Sequence, residues 1–409
     1  MSRERICQSA CWLNMSTVPQ PLEPLPPILI VSRSARMLAE AASGSWSPRV
    51  IDMFADEDTR AVADRWRATV PMDSFMFSGA VIGEVEELSA GVPRMPIVLG
   101  SGFESGQDWL DQLRHYDPTV SHVINASKRL SDLPAVLASL QSDVGVCVPE
   151  TRCTPPVDCR GWLRKLCGES GGFHVVPALG ADAKSRAYFQ RHVRGSSLSA
   201  IFLASSRRTE FVALNRHLTW QQDQWRGYHY QGAVTWHSAP APLVGQVRAL
   251  GSAVGAALGL RGMFGLDFVL AESGSLMLID INPRPPATLD LLVDRSPAFD
   301  AHVAACALDM LLYSRPERTG ECAHLILYAQ AQWQVPEDFA WPESVHDRPS
   351  AGTHIEVGDP LCSIRAHAAT PTAICRKLVS LVRRIRALTV PALLPENMKI
   401  TLVGDAIDG

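Results

Sequence analysis

Two short apolar segments on either side of a glycine-bearing turn constrain this chain more than any other feature. Gly265–Leu266–Asp267–Phe268–Val269–Leu270 and Leu278–Ile279–Asp280–Ile281–Asn282–Pro283–Arg284–Pro285 flank Ala271–Glu272–Ser273–Gly274–Ser275. That is the pattern of an antiparallel hairpin. Side chains alternate faces along a strand, so Asp280 and Asn282 project together, and Asp267 on the partner strand meets them. Two carboxylates and an amide oxygen form a hard, oxygen-only donor set suited to Mg²⁺ with nucleotide phosphates. Arg284 shares that face where the strand stays regular, with Pro283 as the point at which it bends. A surface hairpin carrying ordinary acids is the competing reading.

The chain has 409 residues, more than one typical core holds, so two or three domains are expected. Hydrophobic residues make up 46% and charged residues 20%, the balance of a globular enzyme. A formal net charge of −4 gives no basic surplus for nucleic acid or an anionic membrane. No uninterrupted apolar run reaches the ~18 residues needed to span a bilayer. The N-terminus lacks the apolar stretch of a signal peptide, so a cytoplasmic location is expected. The ten cysteines include no CxxC pair, and Cys147, Cys153, Cys159 and Cys167 fit no common zinc spacing. They read as small buried residues or free thiols.

Residues 1–27, rich in Pro, Ser and Gln, read as a flexible leader, and Met15 is an alternative start. Ile28–Leu29–Ile30–Val31 then reads as a buried strand, about Ala35 to Ala42 as a helix, and Val50–Ile51–Asp52 as the next strand. This alternation predicts a Rossmann-like half domain over 28–121. Ser32–Arg33–Ser34 stands where a GxGxxG would, so a dinucleotide oxidoreductase is disfavoured and Asp52 reads as a loop or substrate-side acid. Ala80–Val81–Ile82 and Pro96–Ile97–Val98–Leu99 read as further strands, the second leading into Gly100–Ser101–Gly102 at a ligand-binding end of such a sheet.

A second signal lies upstream of the hairpin. Trp162–Leu163–Arg164–Lys165 reads as a strand ending in lysine, followed by Gly168–Glu169–Ser170–Gly171–Gly172–Phe173–His174–Val175. Glycines such as Gly171 and Gly172 let backbone N–H groups approach phosphate oxygens, and Lys165 supplies a mobile point charge for them. No G-K-[ST] follows, so this is not a Walker loop.

Together these segments resemble the ATP-grasp superfamily. Its metal hairpin carries an acid in a G-x-D/E-F context and a second strand reading roughly I-E-x-N-P/T-R. Asp280 stands here where Glu is more usual, one methylene shorter with the same ligand chemistry. The resemblance spans about residues 120–310, and the N-terminal half in outline. It implies an α/β ATP-grasp fold, α+β in its central part, with a Rossmann-like pre-ATP-grasp domain. It places the ATP-grasp domain at 122–320, with a lid at about 145–190 and the metal hairpin at 262–286. A C-terminal β-rich extension with a basic helix occupies 321–409. Lys128, before a helix at about Leu133 to Leu140 and the turn Val146–Cys147–Val148–Pro149–Glu150–Thr151, resembles the basic residue that reaches ATP, with a solvated lysine as the alternative. Tyr188–Phe189–Gln190–Arg191–His192–Val193–Arg194–Gly195 resembles the hinge, making Gln190, Arg191 and Val193 the adenine-side positions, mainly through backbone.

The implied cofactors are ATP and Mg²⁺, with Mn²⁺ as an alternative, and the implied ligands are Asp267, Asp280 and Asn282. Lys165 and Arg284 take the catalytic positions. The implied reaction is ADP-forming coupling of a small carboxylate to an amine through an acylphosphate. A nucleotide-binding regulatory protein without catalysis is the other reading. Neither nucleic acid nor membrane is an expected partner, and a homodimer is left open. Ser34–Ala42, Ile51–Arg60 and Ile281–Leu292 further resemble uncharacterised ATP-grasp proteins of archaea and C1-metabolising bacteria, which implies a tetrahydromethanopterin-type setting.

Several other segments stay open. Gln224, Trp225, Arg226, Tyr228, His229, Tyr230 and Gln231 read as a pocket lining or an interface. Helices are expected from Leu243 to Leu258, Ala287 to Leu292 and Ala301 to Tyr313. The basic helix near Cys375 to Leu388 reads as a solvated face or an acidic-partner site.

Overall fold

A computed structural model describes residues 24–69, 76–180, 186–220, 228–314, 320–389 and 400–402. Residues 1–23 of the proposed leader, with Met15, and Gln224, Trp225 and Arg226, lie outside the described residues, and Pro27 at the leader's end already belongs to the first strand.

The first unit follows the expected alternation. Strands β1 (Pro27–Ser32), β2 (Ser47–Asp52), β3 (Arg65–Ala68) and β4 (Ile97–Leu99) form a parallel sheet in the order β3-β2-β1-β4. Helices α1 (Arg36–Ala42) and α2 (Glu57–Val62) follow β1 and β2. The strand expected at Ala80–Ile82 is instead the start of α3 (Val81–Ser89). Val81, Val85 and Leu88 recur at helical spacing and are buried together against the sheet, which overrides the short apolar run. Asp52 faces no substrate space. It is buried, and it accepts the backbone N–H groups of Ala35, Phe54 and Ala55 at 2.8, 2.6 and 2.9 Å, clamping both loops that leave the strand ends.

Helices α4 (Ser121–Leu130) and α5 (Leu133–Val144) lead into a small antiparallel sheet. Its strands are β5 (Thr151–Arg152), β6 (Trp162–Leu166), β7 (Val176–Pro177) and β8 (Ala187–Arg191), in the order β5-β8-β6-β7.

The largest sheet follows. It is built from β9 (Gly195–Ala204), β10 (Thr209–Trp220), β11 (Gly232–Thr235), β12 (Gly262–Ala271) and β13 (Leu276–Asn282), with helix α6 (Ala241–Leu258) crossing before the hairpin. Both faces are covered, which is why its strands are so apolar. Leu198, Ala200 and Phe202 of β9 pack toward α5 and α6, while Ile201 and Leu203 pack toward α1 and helix α7 (Ser296–Leu308). Helix α7 starts earlier than expected because Pro297 is accommodated in its first turn, and it stops where Asp309 turns left-handed (φ 54°).

Strands β14 (Glu321–Tyr328), β16 (Val345–His346) and β18 (Pro360–Ala368) continue this sheet beyond β11 rather than forming one of their own. The short strands β15 (Trp333–Gln334) and β17 (His354–Ile355) make a separate ribbon. The basic helix α8 (Pro371–Thr389) packs on β18 through Ile374, Leu378, Val382 and Ile385, and β19 (Ile400–Leu402) pairs with β10.

The small residues of α6 are a packing requirement. A Cβ at Gly251 would lie 2.1 Å from the Phe202 ring, inside contact distance. Gly251→Ala is therefore expected to destabilise the protein by about 1–3 kcal/mol, the cost of overpacking a filled core, read as a lower urea midpoint at unchanged slope. An unchanged midpoint would show that the helix can shift freely.

Candidate active site

The hairpin assembles the acids as the alternation requires. β12 and β13 pair Asp267 with Asp280 and Gly265 with Asn282, and a register shift lies between Asp267 and Phe268. Leu266, Phe268, Leu278 and Ile281 point into the core, leaving the polar residues on the cavity face. Asn282 donates its amide N–H to Asp267 Oδ2 at 3.1 Å, and its Oδ1 accepts from Arg284 Nη2 at 3.2 Å. Past Pro283, Arg284 thus stays on the carboxylate face. Burial raises the Asp267 carboxyl above its ordinary range, opposed by Arg284, Asn282 and Lys165. Burial and the facing Asp267 raise Asp280 likewise. Two desolvated carboxylates set opposite each other are relieved by a divalent cation, and every donor is a hard oxygen. The Asn282 carbonyl has a second lone pair beside the one Arg284 uses, so the residues fit such an ion.

Lys165 sits opposite this pair. Its strand β6 carries it inward, buried, with Nζ donating to Gln190 Oε1 at 2.7 Å. Burial lowers its pKa, while Asp280 and Asp267 pull it back up. Gln190 in turn donates to Thr151 Oγ1 at 3.3 Å, so its side chain is a bracket for the lysine. The Arg191 N–H donates to Glu150 O at 2.8 Å, its guanidinium contacts Arg160 O and lies over Trp162, and Val193 lines the cavity just beyond.

The glycine loop between β6 and β7 lies closed on the segment after Gly227. Tyr230 N–H donates to Gly171 O at 2.9 Å, and Phe173 stacks on His229 with ring centres 5.4 Å apart. Gly172 adopts φ 79°, and a Cβ there would come 2.1 Å from Tyr228 O, so only glycine permits the closure.

Lys128 is not brought to this site. It lies on α4 and is held by Asp111 and, at 3.5 Å, by Asp108, while Ser127 beside it reaches the cavity wall. Sequence reasoning also passed over Glu104. It follows the Gly100–Ser101–Gly102 loop after β4 and forms a 2.7 Å ion pair with Arg284, just beyond β13. Burial opposes its charge, but Arg284 and Arg33 hold Glu104 below the usual carboxylate range. His217 on β10 was missed as well. It hydrogen-bonds Ser197 at 2.9 Å and approaches Asp267 at 4.0 Å, and burial lowers its pKa to about 4.

Lys128 apart, these groups face one cavity of about 1090 Å³, running from the end of β8 past the hairpin to the loops after β1 and β2 and the 347–363 segment.

Residues 143–288 match the family model described as the ATP-grasp domain. Solved structures extend the likeness to most of the chain. N5-carboxyaminoimidazole ribonucleotide synthetase from Thermotoga maritima superposes with a TM-score of 0.60 at 13% identity, over 92% of this chain and 100% of that one. The biotin carboxylase domain of 2-oxoglutarate carboxylase from Hydrogenobacter thermophilus, a dimer in complex with MgADP, ADP and bicarbonate, gives 0.65 at 11% identity over 92% and 91%. Biotin carboxylase from Campylobacter jejuni gives 0.63 at 12% over 93% of each chain. No curated protein sequence gives a significant match. The fold is the ATP-grasp fold. Among the described residues, no helix is long and apolar enough to cross a membrane.

The strained carboxylate pair yields a prediction. Because folding raises the Asp280 pKa, the stability it contributes is complete below its unfolded value of about 4 and is lost as pH rises through the folded value. Metal-free Asp280→Asn is therefore expected to melt at or above the wild type at pH 7.5. MgCl₂ with ATP should raise the wild-type melting temperature and leave that of the variant nearly unchanged. A metal-free variant melting well below wild type, or a full response to Mg²⁺ and ATP, contradicts the assignment.

Proposed function

We propose that this chain is an ATP-dependent, ADP-forming ligase that couples a small carboxylate to an amine. The observation that carries the reading is the convergence of Lys165, the Asp267/Asp280 pair and Arg284 on one buried site. Asp267, Asp280 and Asn282 would hold Mg²⁺, or Mn²⁺ in its place, and the ion would neutralise phosphate charge when bound. Lys165 meets the phosphates as a point charge, the Gly171–Gly172 loop covers them, and Val193 with the backbone around Gln190 and Arg191 lies at the adenine side. Lys128 takes no part, since its ammonium is engaged by Asp108 and Asp111.

In the first step a substrate carboxylate oxygen attacks the γ-phosphorus and the β–γ bridging bond breaks, releasing ADP. In the second, the amine nitrogen attacks the acyl carbon, phosphate leaves and the amine loses a proton. Arg284, positioned by Glu104 and Asn282, steadies the transferred phosphoryl group. Catalysis is then mainly positioning and charge compensation in a water-poor cavity. The neighbours support this class of chemistry, being named as a synthetase of N5-carboxyaminoimidazole ribonucleotide and as biotin carboxylases, one of them with MgADP and bicarbonate. The likeness to archaeal and C1-associated proteins makes acids of tetrahydromethanopterin-type pathways the first pool to screen.

With a competent acid and amine, the products are expected to be ADP and phosphate, and hydroxylamine should trap an acyl hydroxamate before the amine is added. AMP and pyrophosphate as the main products would overturn the mechanism. Nucleotide binding with no turnover on any acid would favour the regulatory reading. Lys165→Ala should weaken ATP by about 1.5–3 kcal/mol while changing adenosine little, as for loss of a charge-assisted contact. Equal weakening of both ligands in calorimetry would move the lysine away from the phosphates.

A further inference from the structure

We propose that Asp56 recognises a cationic amino group of the substrate, in the arm of the cavity walled by the loops after β1 and β2 and by the 347–363 segment. This deepens the ligase reading and rests on it for the reacting end of that substrate.

Among the described residues, Asp56 is the acid in this arm without a hydrogen-bond or ion-pair partner. It is 6% exposed and lines the cavity. It occupies the residue before α2, yet its side chain does not cap that helix. Among the described residues its carboxylate makes no hydrogen bond and no ion pair. Its acidic neighbours are all engaged. Asp52 takes three backbone N–H groups, as described above. Asp58 accepts those of Asp347 and Arg348 at 2.9 and 3.1 Å. Asp347 accepts from Arg36 at 3.1 and 3.0 Å, from Ser34 at 3.1 Å and from Ser363. Asp290 is chelated by Arg36 at 2.9 and 2.7 Å.

An unpaired buried carboxylate is costly unless something compensates it. Burial, with Asp347, Asp52 and Asp58, pushes the Asp56 carboxyl well above its ordinary range, and Arg36 opposes this only in part. The surrounding potential therefore favours a cation. The wall decides which kind. With the neighbouring acids engaged by N–H and O–H donors, one carboxylate remains, too few oxygens for a bound metal ion. Met37, Leu38 and Phe54 line the same arm and suit a methylene chain. A primary ammonium on an alkyl chain satisfies both. The residue before it, Ala55, is held at φ 49°, a conformation that L-residues rarely adopt and that the Asp52 bond to its N–H supports.

The test is calorimetric binding of 1,4-diaminobutane and of its neutral isostere butane-1,4-diol to the full chain, with and without Mg²⁺ and ATP. The diamine should bind and the diol should not, and Asp56→Asn should weaken the diamine about tenfold or more, as for loss of a charge-assisted bond. Nucleotide affinity should stay within about twofold of wild type. Asp56→Asn should melt at or above the wild type, whereas Asp52→Ala, which removes the acceptor of three backbone N–H groups, should melt below it. Equal binding of diamine and diol, no diamine binding, or Mn²⁺ in place of diamine as the ligand lost on mutation overturns the proposal. So does an Asp56→Asn variant as unstable as Asp52→Ala. Diamine binding through Asp56 in a chain that does not bind nucleotide would instead sink the ligase reading and leave the pocket standing.

Discussion

The arrangement depends on one buried ion pair. Arg36 of α1 grips Asp290 with two hydrogen bonds of 2.9 and 2.7 Å, and both side chains are almost fully shielded from solvent. Asp290 lies eight residues beyond Asn282, in the short 3₁₀ turn Ala287–Leu291 that follows β13. The same guanidinium holds Asp347 from the C-terminal segment. Arg36 therefore fixes the N-terminal sheet, the β12–β13 hairpin and the far wall of the cavity relative to one another. Burial works against Asp290, but Arg36, with His324 and Arg365 behind it, pulls its carboxyl well below the ordinary range. Removing one partner of such a pair costs about 3–5 kcal/mol, because the other charge is stranded. The Arg284–Glu104 pair ties the same two units at the reacting end.

With the frame fixed, the cavity is a set of charges that balance one another until ligands replace the partners. Lys165 answers the Asp267/Asp280 pair, and Glu104 answers Arg284. In the proposed reaction, phosphate and metal take over the first exchange and the substrate's reacting end the second. The glycine loop already lies over the site through Gly171 and Phe173, so the lysine and the acids face each other in low dielectric.

What the sequence reveals follows from how local each feature is. The hairpin is readable because strand alternation and a single turn place Asp267, Asp280 and Asn282 together without distant information. The β1–α1–β2 unit and the lysine-bearing strand are readable for the same reason. Lys128 misleads because its fate is set by Asp108 and Asp111, on a preceding 3₁₀ helix whose docking no local pattern reports. The continuation of the large sheet into β14, β18 and β16 depends on long-range pairing with β11. Glu104 and Asp56 look like ordinary loop acids, and only the neighbours brought by folding distinguish a partnered acid from an unpartnered one.

In the proposed reaction the site moves the γ-phosphoryl group of ATP onto a carboxylate. Positional isotope exchange tests it most directly. ATP labelled with ¹⁸O in the β–γ bridge is incubated with the protein, Mg²⁺ and a carboxylate panel including bicarbonate, with every amine omitted. Reversible acylphosphate formation predicts acid-dependent movement of label from the bridge to the non-bridging β-oxygens. Label that stays in the β–γ bridge with every acid, or acid-dependent scrambling of a label placed instead in the α–β bridge, would contradict this transfer.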